Sequence, residues 1–185
     1  MFWNKTSRRP SNLTETLAQG LQKTWPETQL KPASSDDPVE SIIVPILAEA
    51  DRPAFYLKLS LASSGYAAMK KMGDPDLSVD QGTFSEFDYL QFYIPLPIQI
   101  SADTVNDIAI LIERINSKLP LMGFNLAQSD EMTVSYRHMM LFESQRPNFK
   151  LVERSVTLIS FLVSEFFPTL KAVSTGAKRL SELDV

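Results

Sequence analysis

A chain of 185 residues, 44% of them hydrophobic, is long enough for one domain with a sizeable core and requires no second. Its formal charge of −4 and pI near 5.1 oppose general attraction to phosphate backbones, because a nucleic-acid binder normally carries a basic excess on one face. The absence of cysteine excludes disulfides, thiolate metal sites and a cysteine nucleophile, and it makes a reducing compartment, the cytoplasm, the expected location.

Residues 1–11 read as a flexible N-terminal arm. Met1-Phe2-Trp3-Asn4-Lys5 and then Arg8 and Arg9 are not followed by the apolar core of a signal peptide, so secretion is not expected. Trp3 beside two arginines leaves open a peripheral contact with an anionic membrane or with nucleic acid.

Asn12-Leu13-Thr14-Glu15 then supplies a helix start, and Leu13, Leu17, Leu21 and Trp25 recur at helical spacing until Pro26. Residues 28–38 hold Pro32, Ser34, Ser35, Asp36, Asp37 and Pro38 and read as a connecting loop. Ile42 to Leu47 is β-rich but contains Pro45, which cannot donate a ladder hydrogen bond and so suggests an edge strand or a bulge. The next strand alternates, with Phe55, Leu57, Leu59 and Leu61 on one face and Tyr56, Lys58 and Ser60 on the other. A third strand puts Leu90, Phe92, Ile94 and Leu96 on the core side, with Tyr89, Gln91 and Tyr93 opposite, and Pro95 and Pro97 are expected to close it.

Ser101 is placed to cap a helix whose buried stripe is Val105, Ile108, Leu111, Ile112, Ile115 and Leu119, stopped by Pro120. Residues 123–126 and 132–142 predict a second hairpin. Phe149 to about Ser174 predicts a long helix, with Pro168 inside it and Gly176 placed to end it. Its most apolar stretch, Leu158 to Phe167, is broken by Ser160, Ser164 and Glu165 and is shorter than the roughly 20 residues that span a bilayer, so integral membrane association is not expected. The resulting fold class is α+β: an antiparallel five-stranded sheet with three helices in the order α-β-β-β-α-β-β-α. One domain covers residues 12–176, and a C-terminal tail covers 177–185.

The residues that could carry chemistry are sparse. His138 is the sole histidine, in the last strand, and no nucleophile or orienting carboxylate is near it in sequence, so a structural strand histidine is the expectation. Asp74-Pro75-Asp76-Leu77-Ser78-Val79-Asp80 resembles a calcium loop only in its alternating oxygens. Its sixth position is Val79 where glycine is needed, and its twelfth is Ser85 where a bidentate glutamate is needed. The six glycines form neither a phosphate-binding fingerprint nor a nucleophile elbow. No catalytic residue, metal or cofactor is expected.

Three features suggest a protein partner instead. Residues 62–87 are long for a structureless connection, and Tyr66, Met69 and Met72 within them fall at helical spacing; they form either a mobile Met-bearing flap that moulds to a partner or a short helix tucked onto the core. Tyr56, Tyr89 and Tyr93 share the sheet face opposite the leucines, where they meet either a partner or the long helix. In that helix Leu158, Phe161, Leu162, Phe166 and Phe167 exceed what one sheet face buries, which makes Phe161 and Phe166 candidates for a partner or homodimer contact.

The stretch from Leu90-Gln91-Phe92-Tyr93-Ile94 through Ile115-Asn116-Ser117-Lys118-Leu119 and Gly123-Phe124 to the long apolar helix resembles the YbjN-like proteins and the type III secretion chaperone-like fold over about half of the chain. That resemblance implies a small cytosolic module acting through protein contacts, as a dimeric chaperone or a regulator, and it carries over no catalytic residue. The expected function is a non-enzymatic, chaperone-like interaction module. The alternatives are a ligand-binding protein or enzyme assembled from dispersed residues around His138 or Arg137, and a membrane or nucleic-acid role for the basic arm.

Overall fold

A computed structural model of the protein describes residues 12–35, 39–46, 55–63, 87–119, 123–128, 132–143 and 147–183. The basic arm, the acidic stretch from Asp74 to Asp80, and Tyr66, Met69 and Met72 lie outside the described residues.

Helix α1 (Asn12–Gln22) buries Leu17, Ala18 and Leu21, one stripe at i, i+1 and i+4. It ends at Gln22 rather than Trp25; the Trp25 amide still bonds the Leu21 carbonyl at 2.8 Å, closing the turn before Pro26. Within the expected loop, Gln29–Lys31 forms a short strand, β1, paired with β2 (Ser41–Ile46). The sheet therefore has six strands, not five. The added strand has a single apolar residue, Leu30, too little alternation for periodicity to reveal it.

The sheet continues through β3 (Phe55–Ser63), β4 (Phe87–Gln99), β5 (Phe124–Gln128) and β6 (Met132–Glu143), all antiparallel, in the spatial order β1-β2-β3-β4-β6-β5. Strand β2 is flanked by β1 and β3, but only its first half is covered on the β1 side, so at Pro45 it is locally an edge, as the proline suggests. Because β1 pairs only with Ser41–Ile43, the half of β2 that holds Pro45 has no ladder on that side, and its missing N–H leaves no β1 bond unmade.

Strand β4 likewise runs through Pro95 and Pro97 instead of ending there. Both prolines are exposed at the register shift against β6 between Pro95 and Gln99, where ladder bonds are already interrupted. Leu96 and Ile98 meanwhile continue the buried parity.

Helix α2 (Val105–Asn116) starts at a Thr104 cap, one turn after the expected Ser101, whose carbonyl accepts from the Thr104 amide at 3.1 Å. It buries Ile108, Leu111, Ile112 and Ile115. Helix α3 (Phe149–Ser174) is capped by the Asn148 side chain, which accepts from the Leu151 amide at 3.2 Å. It ends at Gly176, whose φ of +70° is the left-handed conformation of a helix C′ residue. By length and composition α3 could cross a membrane, so the apolar stretch is longer than the sequence interruptions suggested; the core helix of a soluble protein passes the same test. In the fold, Val152, Val156, Ile159, Val163, Phe167, Leu170 and Val173 of α3 are buried in the domain core.

The three helices among the described residues pack on one face of the sheet, against Ile42, Val44, Leu57, Leu59, Leu90, Phe92, Ile94 and Val134. Edge-to-face rings fasten α3 to the strands: Phe167 to Phe55 with centroids 4.8 Å apart, and Phe166 to Phe124 at 6.0 Å. Residues beyond 176 also dock, as a 3-10 turn at Leu180–Glu182 with Leu180 and Leu183 packed on the core.

Candidate interaction face

Side chains alternate along a strand, so a sheet whose described helices all lie on one side leaves every second residue on the other. On the uncovered side, the ladder sets Lys58 of β3, Tyr93 of β4 and Arg137 of β6 in one row. The next row is Ser60, Gln91 and Met139, and the third brings Tyr89 beside Leu141. Tyr56 lies two residues before Lys58 on the same face and is 59% exposed.

Met139 is 44% exposed and Leu141 66%, whereas Tyr89 and Tyr93 are half-buried among their neighbours. The Arg137 guanidinium stands 5.2 Å from the Tyr93 ring centroid, a cation–π contact that fixes the arginine over the sheet. Burial pushes the Tyr89 phenol above its ordinary value, so it stays a neutral donor near pH 7. The face therefore offers aromatic, thioether and aliphatic area together with two cations, Lys58 and Arg137, and neutral polar groups such as Ser60 and Gln91.

The three tyrosines anticipated from parity share this face, Tyr56 towards one end and Tyr89 towards the other. Sequence reading missed Arg137, Met139 and Leu141 as their neighbours, although the same alternation rule, applied to β6 from His138, puts them on that side. The two candidates on α3 part company: Phe161 is 62% exposed, on the side of the helix away from the sheet, while Phe166 is partly buried against Phe124. Phe166 is thus a packing residue.

His138 points the opposite way from Arg137, into the core, where it is 9% exposed and its ring lies 5.3 Å from that of Phe92. Burial lowers its pKa, because the imidazolium loses solvation there. Two residues before it Tyr136 is fully buried, its phenol pushed up to about 12 by the same desolvation. Neither His138 Nδ1 nor the Tyr136 hydroxyl has a hydrogen-bond partner among the described residues, and none of their carboxylates orients the imidazole through Nδ1, the contact that would hold a general base.

Among the described residues two clefts, of about 290 and 460 Å³, are lined around Trp25 and Ser160 and around Ile98 and Lys171, and neither reaches His138 or Arg137. Among the described residues no group of three or more His, Asp or Glu side chains is placed to hold a metal ion. No protein-family model matches the chain, and no curated protein is significantly similar to it in sequence.

Proposed function

We propose that this domain is a non-enzymatic protein-interaction module, chaperone-like or regulatory, that receives a segment of a protein partner on the bare face of its sheet in the cytoplasm. The observation that carries the reading is the joint exposure of Tyr56, Met139 and Leu141 around Tyr89, Tyr93 and Arg137 on a face that no described helix covers. Tyrosine, methionine and arginine are the types enriched where proteins meet, and a methionine side chain adapts to partners of varied shape. A catalytic reading finds less support, since His138 and Arg137 lie on opposite faces of β6 and neither lines the clefts found among the described residues. The element order, with β1 added, supports placing the domain among YbjN-like or type III secretion chaperone-like folds.

The test is co-purification of the tagged chain from its native cell, with mass spectrometry of what is retained, beside the double variant Met139→Asp/Leu141→Asp. Both side chains are exposed, so the variant should keep the wild-type melting curve within about 0.5 kcal/mol. It should nevertheless lose the wild-type partner, as charged groups placed at an interaction centre do. Partners retained equally by the folded variant, or a wild-type protein that repeatedly returns alone, would sink the proposal.

A further inference from the structure

Helix α3 carries a second exposed stripe, on the side turned away from the sheet: Leu151, Arg154, Leu158, Phe161, Glu165 and Pro168. Leu151 is 50% and Phe161 62% exposed, Arg154, Glu165 and Pro168 are exposed, and Leu158 is half-buried. The spacings are 3, 4, 3, 4 and 3 residues, the repeat of a helix-pairing seam, and they read the same in either direction. A stripe of this kind superimposes on its own reverse.

We propose that α3 pairs with α3 of a second copy of this chain, antiparallel, about a two-fold axis between Leu158 and Phe161. In a two-fold contact each pair of residues occurs twice. The register then sets Leu158 against Phe161 of the second copy at the centre, Arg154 against its Glu165 on either side, and Leu151 against its Pro168 at the ends. At 1.5 Å per residue the seam is about 25 Å long, four to five turns that a shallow helix crossing keeps in contact.

Charge selects this arrangement. A parallel pair would stack Arg154 on Arg154 and Glu165 on Glu165, whereas the antiparallel pair joins opposite signs at both positions. The same alternation of sign separates the stripe from a lipid-binding face, whose polar residues are predominantly basic. A single helix seam is a small interface, so the dimer dissociates in roughly the micromolar range. The stripe lies on the helical side of the domain and leaves the bare sheet face open, so this proposal and the one above fail independently.

Sedimentation equilibrium of the full chain, from about 1 μM to a few hundred micromolar, tests it. The wild type should pass from monomer to dimer. Phe161→Glu should weaken association at least about tenfold while leaving the circular dichroism unchanged. Arg154→Glu and Glu165→Arg should each weaken it about fivefold, and the two together in one chain should restore it, because every facing pair is again of opposite sign. A wild type that stays monomeric, a dimer indifferent to Phe161→Glu, or a double reversal no better than the singles would overturn the pairing. Monomers that instead float with anionic phosphatidylserine vesicles through Phe161 would assign the stripe to a lipid surface and overturn it equally.

Discussion

The two faces of this sheet are made by the same strands and differ in almost everything else. On one face Leu57, Leu59, Phe92 and Ile94 are fully buried under three helices; on the other, one residue along, Tyr56 and Leu141 stand more than half in solvent. The covered face holds the stability and the bare face contributes little to it, so a side chain on the bare face is free to be chosen for contact. His138 and Arg137 make the point at a single step of β6: the histidine is pressed against Phe92 and loses basicity to burial, while the arginine lies over Tyr93 at the surface.

The largest expected effect falls on the covered face. Phe167 is buried and meets Phe55 edge to face, so Phe167→Ala should lower the unfolding free energy by about 3–5 kcal/mol in a urea titration, through lost burial and the cavity left behind. A loss below about 1 kcal/mol would mean that α3 is not seated on the sheet as described.

A smaller effect is expected where α2 meets β5. The Asn116 side chain donates to the Phe124 carbonyl at 2.8 Å and accepts from its amide at 2.9 Å, and a Cβ at Gly123 would collide with that side chain. Gly123→Ala should therefore cost about 1–3 kcal/mol, by displacing Asn116 and leaving the Phe124 backbone unsatisfied. Hydrogen exchange at the Phe124 amide, faster in the variant by a matching factor, would locate the damage.

The smallest effect is a dependence on pH. The unfolded chain takes a proton on His138 near the ordinary value of 6.5, whereas burial delays protonation of the folded chain to lower pH. The unfolded state then binds more protons as pH falls below that value, so this contribution to stability is complete above it and is lost on the acid side. Stability curves of wild type and His138→Leu between roughly pH 7 and 5 should diverge, the wild type falling more steeply. Parallel curves would show that the imidazole is not desolvated. The bare face supplies the control, since substitutions at Met139 and Leu141 should move none of these curves and change only what the protein holds.

Much of this contrast is legible in residue order. Alternation through Phe55–Leu61 and Leu90–Leu96 identifies both the core side and the tyrosine side, and the helical spacing from Val105 to Ile115 identifies the stripe of α2 that is buried. Three features were hidden for physical reasons. Gln29–Lys31 is too short and too polar to show a period; Pro95 and Pro97 ordinarily end a strand but are tolerated where the ladder is already shifted; and the fate of Phe161 and Phe166 depends on which side of α3 meets Phe124.

What the sequence by itself determined is the set of amphipathic surfaces, because side-chain direction follows from the repeats of two and 3.6 residues that the backbone imposes. Which surfaces cover one another was decided only by the tertiary structure. Seating α1, α2 and α3 together on one side buries His138 and Tyr136 and leaves Arg137, Met139 and Leu141 in solvent. That choice depends on contacts between residues far apart in the chain, such as Phe55 with Phe167 and Phe124 with Phe166, which no local pattern encodes.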